Sequence, residues 1–277
     1  MTGRTQKGAA EKLRALHAAG VLMLPNAWDA GSAAMIALAG AQAIATTSGG
    51  IAWSLGHADG QRLTRAAMIE RVGEIVAAVT IPVTADIEGG YGPGPEDVAV
   101  TVEAVIAAGA VGVNIEDSRA PGGPLFDPAE QAARIQAARA ASVSAGLPEL
   151  FINARTDVFL CGIGVRQARL DHVLARSFAY AKTGADSLFV PGLTDLQVIH
   201  ELAEASPLPV NVMAGPGAPP VAELAAAGVR RVSTGTAIAQ AAYTLATRAA
   251  TELLTTGSYT VLEQAVDFGT INSLFTR

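Results

Sequence analysis

Eight short apolar runs alternate with helical segments along this chain, and most of them break into polar or acidic residues at their C-terminal ends. The runs begin at Val21, Ala43, Ile81, Val111, Phe151, Ser187, Val210 and Val229. Strict strand–helix alternation implies a parallel sheet with crossover helices, and eight such units imply a closed (β/α)8 TIM barrel. The segments between the runs carry the helical half of the pattern. Over 64–79, Met68, Ile69, Val72, Ile75 and Val76 recur at helical spacing behind Thr64, a suitable N-cap. Asp127 and Pro128 open a second such segment, predicted to run from 128 to 145. Segments 166–182 and 195–204 read as helices, whereas 51–62 is aperiodic and reads as a loop. Segments 237–256 and 259–267 also read as helices, more than the eighth unit needs. From about residue 240 the chain is therefore expected to form a helical arm packed on a neighbouring subunit, which makes the protein a homo-oligomer. No linker or shift of composition divides 1–277, so a single domain is expected.

Half of the 277 residues are hydrophobic, enough for a substantial core. The net charge of −6 and the lack of any Lys/Arg-rich run argue against a nucleic acid or an anionic membrane as partner. Cys161 is the one cysteine, so no disulfide can form within the chain and a reducing cytoplasm is expected. Met1 to Ala10 is polar, with no apolar leader, and no stretch approaches the roughly 20 apolar residues of a membrane span.

In a barrel of this kind chemistry collects at the C-terminal ends of the strands. The residues found there are Asn26 and Trp28, then Ser48-Gly49-Gly50 and Asp59, then Asp86 and Glu88, then Glu116, Arg155, Asn211 and Ser233-Thr234. Asp59, Asp86, Glu88 and Glu116 would converge from three adjacent strand ends. Carboxylates gathered this closely repel one another unless a cation sits among them, and oxygen-only donors suit Mg2+ or Mn2+. Arg155 could receive a substrate carboxylate or phosphonate in a bidentate way, or pair with Asp157 or Glu116. Ser48-Gly49-Gly50 offers backbone N–H groups to an anion, and 214–217 and 233–235 resemble phosphate-gripping loops, although plain turns explain all three equally well. His57 reads as a surface residue, and Cys161 as a packing residue.

The chain resembles the isocitrate lyase/phosphoenolpyruvate mutase superfamily from about Leu22 to Thr236. The resemblance rests on Thr47-Ser48-Gly49, Ser54-Leu55-Gly56 with Asp59, the run Ala85 to Gly92, Asn114-Ile115-Glu116-Asp117 and Asn153-Ala154-Arg155. It implies a modified barrel whose final helix is exchanged between neighbours, usually in a tetramer. It implies Mg2+ held most directly by Asp86, with Asp59, Glu88 and Glu116 acting mainly through water. Ser48 and Gly49, with Gly50 and Asn211 beside them, would bind the 2-oxo acid moiety, and Arg155 its carboxylate. The shared chemistry is bond making or breaking next to a pyruvate-like unit through an enolate.

One departure narrows the reaction. Isocitrate and methylisocitrate lyases carry a Lys-x-Cys-Gly-His loop after the counterpart of Glu116-Asp117, and its cysteine is the acid/base. Here that segment is Ser118 to Leu125, without Cys, Lys or His. The Lys-rich loop with a Thr-Asn pair of the phosphonate enzymes is missing too. Arg119 is the one titratable side chain left in the segment; it could clamp a substrate but not act as an acid. Together these features imply a carbon–carbon lyase or decarboxylase for a small 2-oxo or 2-hydroxy polycarboxylate. Glu116, Arg155 and Tyr91 are its candidate catalytic residues, and His57, Tyr91 or a bound water its candidate base. P–C chemistry on a phosphonopyruvate-like substrate is the alternative, and a barrel that binds a 2-oxo acid without turnover is the third reading.

Overall fold

The computed structural model describes residues 3–276, so residues 1, 2 and 277 of the expected 1–277 unit lie outside it. The chain runs α1 (Gly3–Ala18), β1 (Leu22–Leu24), β2 (Asn26–Ala27), α2 (Ala30–Leu38), β3 (Ile44–Thr46), α3 (Ser48–Ser54), α4 (Arg65–Ala78) and β4 (Val83–Asp86). It continues with α5 (Pro95–Ala107), β5 (Gly112–Glu116), α6 (Pro128–Ser144), β6 (Phe151–Arg155), α7 (Arg169–Ala181) and β7 (Ser187–Val190). It ends with α8 (Leu196–Ala205), β8 (Val210–Met213), α9 (Val221–Ala226), β9 (Arg231–Ser233), α10 (Ala237–Thr256) and α11 (Phe268–Ser273).

The nine strands form one parallel sheet in the order β1-β9-β8-β7-β6-β5-β4-β3-β2. Its two ends, β1 and β2, are separated in sequence by Pro25 alone, so the chain itself closes the barrel. The first apolar run is thus one barrel strand broken at Pro25, whose carbonyl still accepts from the Ala45 N–H at 3.2 Å. Strand side chains alternate. Val113, Ile115, Ile152, Ala154, Leu188, Val190, Val210 and Val212 are buried in the apolar core. On the opposite face, Thr84, Asn114, Asn153, Ser187, Asn211 and Arg231 are buried within the barrel.

Local signals fixed most boundaries. Thr64 caps α4 by accepting from the Ala67 N–H at 3.2 Å, and Pro128 opens α6 behind Asp127. Three expectations need correction. Residues 48–54 form helix α3, not a turn leading into a loop. Its two glycines are there for close approach: a Cβ on Gly49 would meet Thr236 Cγ2 at 2.8 Å, and one on Gly50 would meet Thr47 Cγ2 at 2.7 Å. The segment expected as helix 166–182 opens with a separate 3-10 turn, Arg166–Ala168. The expected helix 259–267 is a 3-10 turn, Thr260–Leu262, followed by α11. Glu252 causes this break, because its carboxylate accepts from Ser258, Thr260 and Val261 and turns the chain back on α10.

Helix α10 leaves the barrel, and Ala239 is its one buried residue. Met23, on the outward side of β1, is 63% exposed. No helix among the described residues is long and apolar enough to cross a membrane.

Candidate active site

The C-terminal ends of β3 to β6 place the predicted acidic residues around one opening. Asp86 ends β4. Its Oδ1 accepts from Asn114 Nδ2 at 3.0 Å and from the Glu88 N–H at 3.4 Å, and its Oδ2 accepts from the Ser48 N–H at 3.1 Å. Its own N–H donates to Thr46 Oγ1 at 2.8 Å. Asn114 belongs to a row of amides across the barrel, in which Asn153 Nδ2 reaches Asn114 Oδ1 at 2.9 Å and Asn211 Oδ1 at 3.2 Å.

Glu88 is buried. It accepts from the Gln61 N–H and, at 2.9 Å, from the Tyr91 hydroxyl. Burial, with the charge of Asp86 beside it, pushes its carboxyl up to about 7. Gln61, Glu88 and Tyr91 all have positive φ (56°, 49° and 57°), and the Tyr91 N–H donates to Gln61 Oε1 at 3.0 Å. Three bulky residues in the left-handed region, bonded to one another, form a strained knot held by its surroundings. Those surroundings include Arg134 of α6. It is buried, and it donates to the carbonyls of Gly89, Gly92 (3.2 Å), Pro93 (2.6 Å) and Gly94 (3.3 Å). The glycine-rich stretch after β4 is therefore wrapped around a guanidinium.

Glu116 ends β5 and pairs with Arg155 Nη1 at 2.9 Å. Burial pushes the Glu116 carboxyl up, against the pull of that guanidinium. Arg155 ends β6, and Asp157 takes its Nε at 2.6 Å and its Nη2 at 3.0 Å. Both ion pairs read as alternatives to substrate binding are thus present. Three of the five N–H donors of a guanidinium are spent on them, which leaves two. Asp59 stands on the rim. Partial burial and the charge of Asp86 raise its pKa.

Two connected spaces lie between these groups. The inner one, about 230 Å³, is lined by Ser48, Asp59, Asp86, Asn114, Arg155, Arg231 and Ser233, among others. The outer one, about 450 Å³, shares Ser48, Asp59 and Arg155 with it and adds Glu88, Glu116, Ser118 and Cys161. The segment 118–125 forms its edge. Ser118 and Leu125 pair antiparallel, and Pro121 packs on Gly60, where any Cβ would lie 2.2 Å from its ring.

Several predicted residues stand elsewhere. Asn211 is fully buried beneath the cavity, its amide spent on Val212, Arg231 and Ser233, so the structure does not bring it to a substrate. Gly49 and Gly50 are buried inside α3 rather than lining the cavity. Tyr91 lines a separate groove behind Glu88. Arg119 is turned toward Glu130 and lies 4.2 Å from the Phe126 ring. The N–H groups of Thr234 and Gly235 both donate to Asn26 Oδ1 at 2.9 Å, so no phosphate grip forms there. Cys161, read as packing, lines the outer space, where burial pushes its thiol up. Arg134 and Arg231 are functional-site residues that the sequence did not single out: Arg134 adjoins no motif, Arg231 sits inside the last apolar run, and tertiary contact reveals both.

The donor set fits a hydrated divalent cation. Among the described residues no three His, Cys, Asp or Glu side chains converge closely enough to enclose an ion. Asp86 accepts three hydrogen bonds out of the roughly four that a carboxylate offers, so one acceptor direction remains for a metal. One direct carboxylate with the others acting through water matches this arrangement, and a small, hard cation suits it.

A parallel barrel with carboxylates and an arginine gathered at the C-terminal ends of its strands is the arrangement of an enzyme barrel. The phosphoenolpyruvate phosphomutase family matches residues 13–254, and the chain belongs to that family. A protein of Burkholderia cenocepacia J2315, provisionally assigned as a lyase/mutase, superposes with a TM-score of 0.91 at 40% identity, covering 99% of this chain and 98% of that one. An uncharacterized protein of Mycobacterium tuberculosis is 41% identical over 222 residues, 79% of this chain and 80% of its own length. The 2-methylisocitrate lyase of Bacillus subtilis is 30% identical over 214 residues, 74% of this chain and 67% of its own.

Proposed function

We propose that the protein is a Mg2+-dependent carbon–carbon lyase or decarboxylase acting on a small 2-oxo or 2-hydroxy polycarboxylate. The observation that carries this reading is the shared cavity of Asp86, Asp59 and Arg155. The inner space, about 230 Å³, has room for a substrate of a few carbons. Asp86 would hold the ion, with Asp59, Glu88 and Glu116 around its waters; Mn2+ would fit the same oxygen donors. When bound, the metal supplies positive charge opposite the negative charge that develops as the bond next to the 2-oxo group breaks.

The chain's own residues would do the rest. Ser48, at the cavity wall, and the two unspent N–H groups of Arg155 would orient the substrate's carboxylate. Glu116 and Asp157 hold the Arg155 guanidinium in place. The Tyr91 hydroxyl donates to Glu88, which fixes that carboxylate rather than reaching the cavity. A decarboxylase asks least of segment 118–125, because departing CO2 takes no proton and water can protonate the product.

A substrate panel tests the reading. Purified protein with Mg2+ is assayed on oxaloacetate, dimethylmalate, methylisocitrate and phosphonopyruvate. Turnover of a carboxylate substrate that stops when the metal is chelated is expected. No turnover of any member contradicts the reading. Phosphonopyruvate turned over faster than every carboxylate would move the protein to P–C chemistry.

A further inference from the structure

Arg231 opens β9 inside the barrel and is 3% exposed. Among the described residues it has no ion-pair partner, and its Nε and Nη1 have no hydrogen-bond partner. A buried guanidinium left in this state is costly, and native interiors rarely leave one unpaired without a reason. Arg231 is among the residues that line the inner cavity, with Asp86 and Arg155, so its buried guanidinium lies at the wall of the space that the proposed substrate would enter.

The groups around it have one chemistry. Thr84 lines the same floor, and its buried Oγ1 also lacks any partner. Ser233 Oγ accepts from Asn211 at 3.3 Å, and Thr46 Oγ1 accepts from the Asp86 N–H, which leaves both hydroxyl protons to be donated. The acceptors close by are already engaged: Asn26 Oδ1 by Thr234 and Gly235, Asn114 Oδ1 by Asn153. The cavity wall therefore offers a cation and three hydroxyl donors next to the Asp86 carboxylate, whose remaining acceptor direction would go to a metal. That is the complement of an anion. Burial pulls the Arg231 pKa down to about 9, so the guanidinium is still charged at neutral pH.

We infer that Arg231 is an anion-binding residue of the cavity floor, taking a carboxylate of a small acid with the hydroxyls of Thr84, Ser233 and Thr46. The inference rests on the proposed function and sharpens its substrate class. The acid would carry one carboxylate at the mouth, near Arg155, and a second anionic oxygen group reaching into the barrel. A free inorganic anion would satisfy the same donors, and the experiment separates the two.

Oxalate is titrated calorimetrically into metal-free protein in EDTA, so that the result does not depend on the metal or on turnover. Wild type is compared with Arg231→Met and Arg231→Lys at constant ionic strength, once in methanesulfonate and once in chloride. Arg231→Met should weaken oxalate at least about tenfold, the scale of a charged hydrogen bond lost from a buried site, and Arg231→Lys should weaken it less. Equal oxalate affinity in wild type and Arg231→Met, or no oxalate binding in EDTA, overturns the inference. So does chloride that displaces oxalate from wild type but not from Arg231→Met, because the floor would then hold a free inorganic anion. If Arg231→Met does not fold, wild type carries the test. Oxalate must raise its melting temperature in EDTA while neutral oxamide does not, and an equal response to both overturns the inference. The proposed function fails separately, through the substrate panel with Mg2+.

Discussion

Arg134 shows how far one side chain can reach. It holds carbonyls of Gly89, Gly92, Pro93 and Gly94, and through them the strained backbone that carries Glu88 and Tyr91. Arg134→Met keeps much of the volume but leaves these carbonyls without their charged donor. A loss of about 3 kcal/mol is expected in urea unfolding, from buried acceptors deprived of a charged hydrogen bond. A loss within a few tenths of a kcal/mol would show that the loop does not depend on this residue. His17 makes a second prediction. It is buried, stacks on Phe151 with ring centroids 3.8 Å apart, and donates from Nδ1 to the Leu13 carbonyl. Burial, reinforced by the charge of Arg231, pulls its pKa down from 6.5 to about 4. The unfolded chain therefore binds more protons between those values. The stability is fully present above pH 6.5 and is lost as pH falls toward 4, by about 3 kcal/mol in all. Denaturant midpoints measured from pH 7.5 to 4 should show this slope, and His17→Gln should flatten it.

At the scale of elements, the strands were the most legible part of the chain. Parallel strands covered by helices carry apolar outward faces, and Val113-Asn114-Ile115 or Val210-Asn211-Val212 reads as a strand from either face. Because Asp86, Glu116 and Arg155 are the last residues of their strands, the acidic rim could be read as well. Helix α3 could not, since Ser48-Gly49-Gly50 carries the composition of a turn. Only the approach of Thr47, Trp28 and Thr236 explains why glycines sit in a helix there. The strand position of Asn211 was clear from sequence, but its depth in the barrel was not. The arm makes the prediction that belongs at this scale. Leu254 and Phe268 are 84% and 83% exposed on α10 and α11, while Met23 on β1 lies uncovered. Apolar side chains left open along a helix that has departed from its barrel point to burial against another copy. Light scattering should find an oligomer, a tetramer if the family resemblance extends to assembly. Leu254→Asp with Phe268→Asp should lower the mass while the barrel stays folded. A wild-type monomer would contradict the exchange of the arm.

Across the whole molecule, the charges of the site gather around one cavity. Asp86 and Arg155 line it together with the buried Arg231, and a row of amides crosses the barrel. A substrate with several oxygen anions and a divalent cation together would neutralise both kinds of charge. The measurement that tests this most directly is calorimetric titration of oxalate, a stable mimic of a 2-oxo acid enolate, with and without Mg2+, on wild type and on Asp86→Ala. The account predicts binding that Mg2+ strengthens by at least about tenfold in wild type, with that gain lost in Asp86→Ala, as expected when a direct metal ligand is removed. Oxalate affinity indifferent to Mg2+, or a metal effect unchanged in Asp86→Ala, would contradict it and leave the barrel without the proposed chemistry.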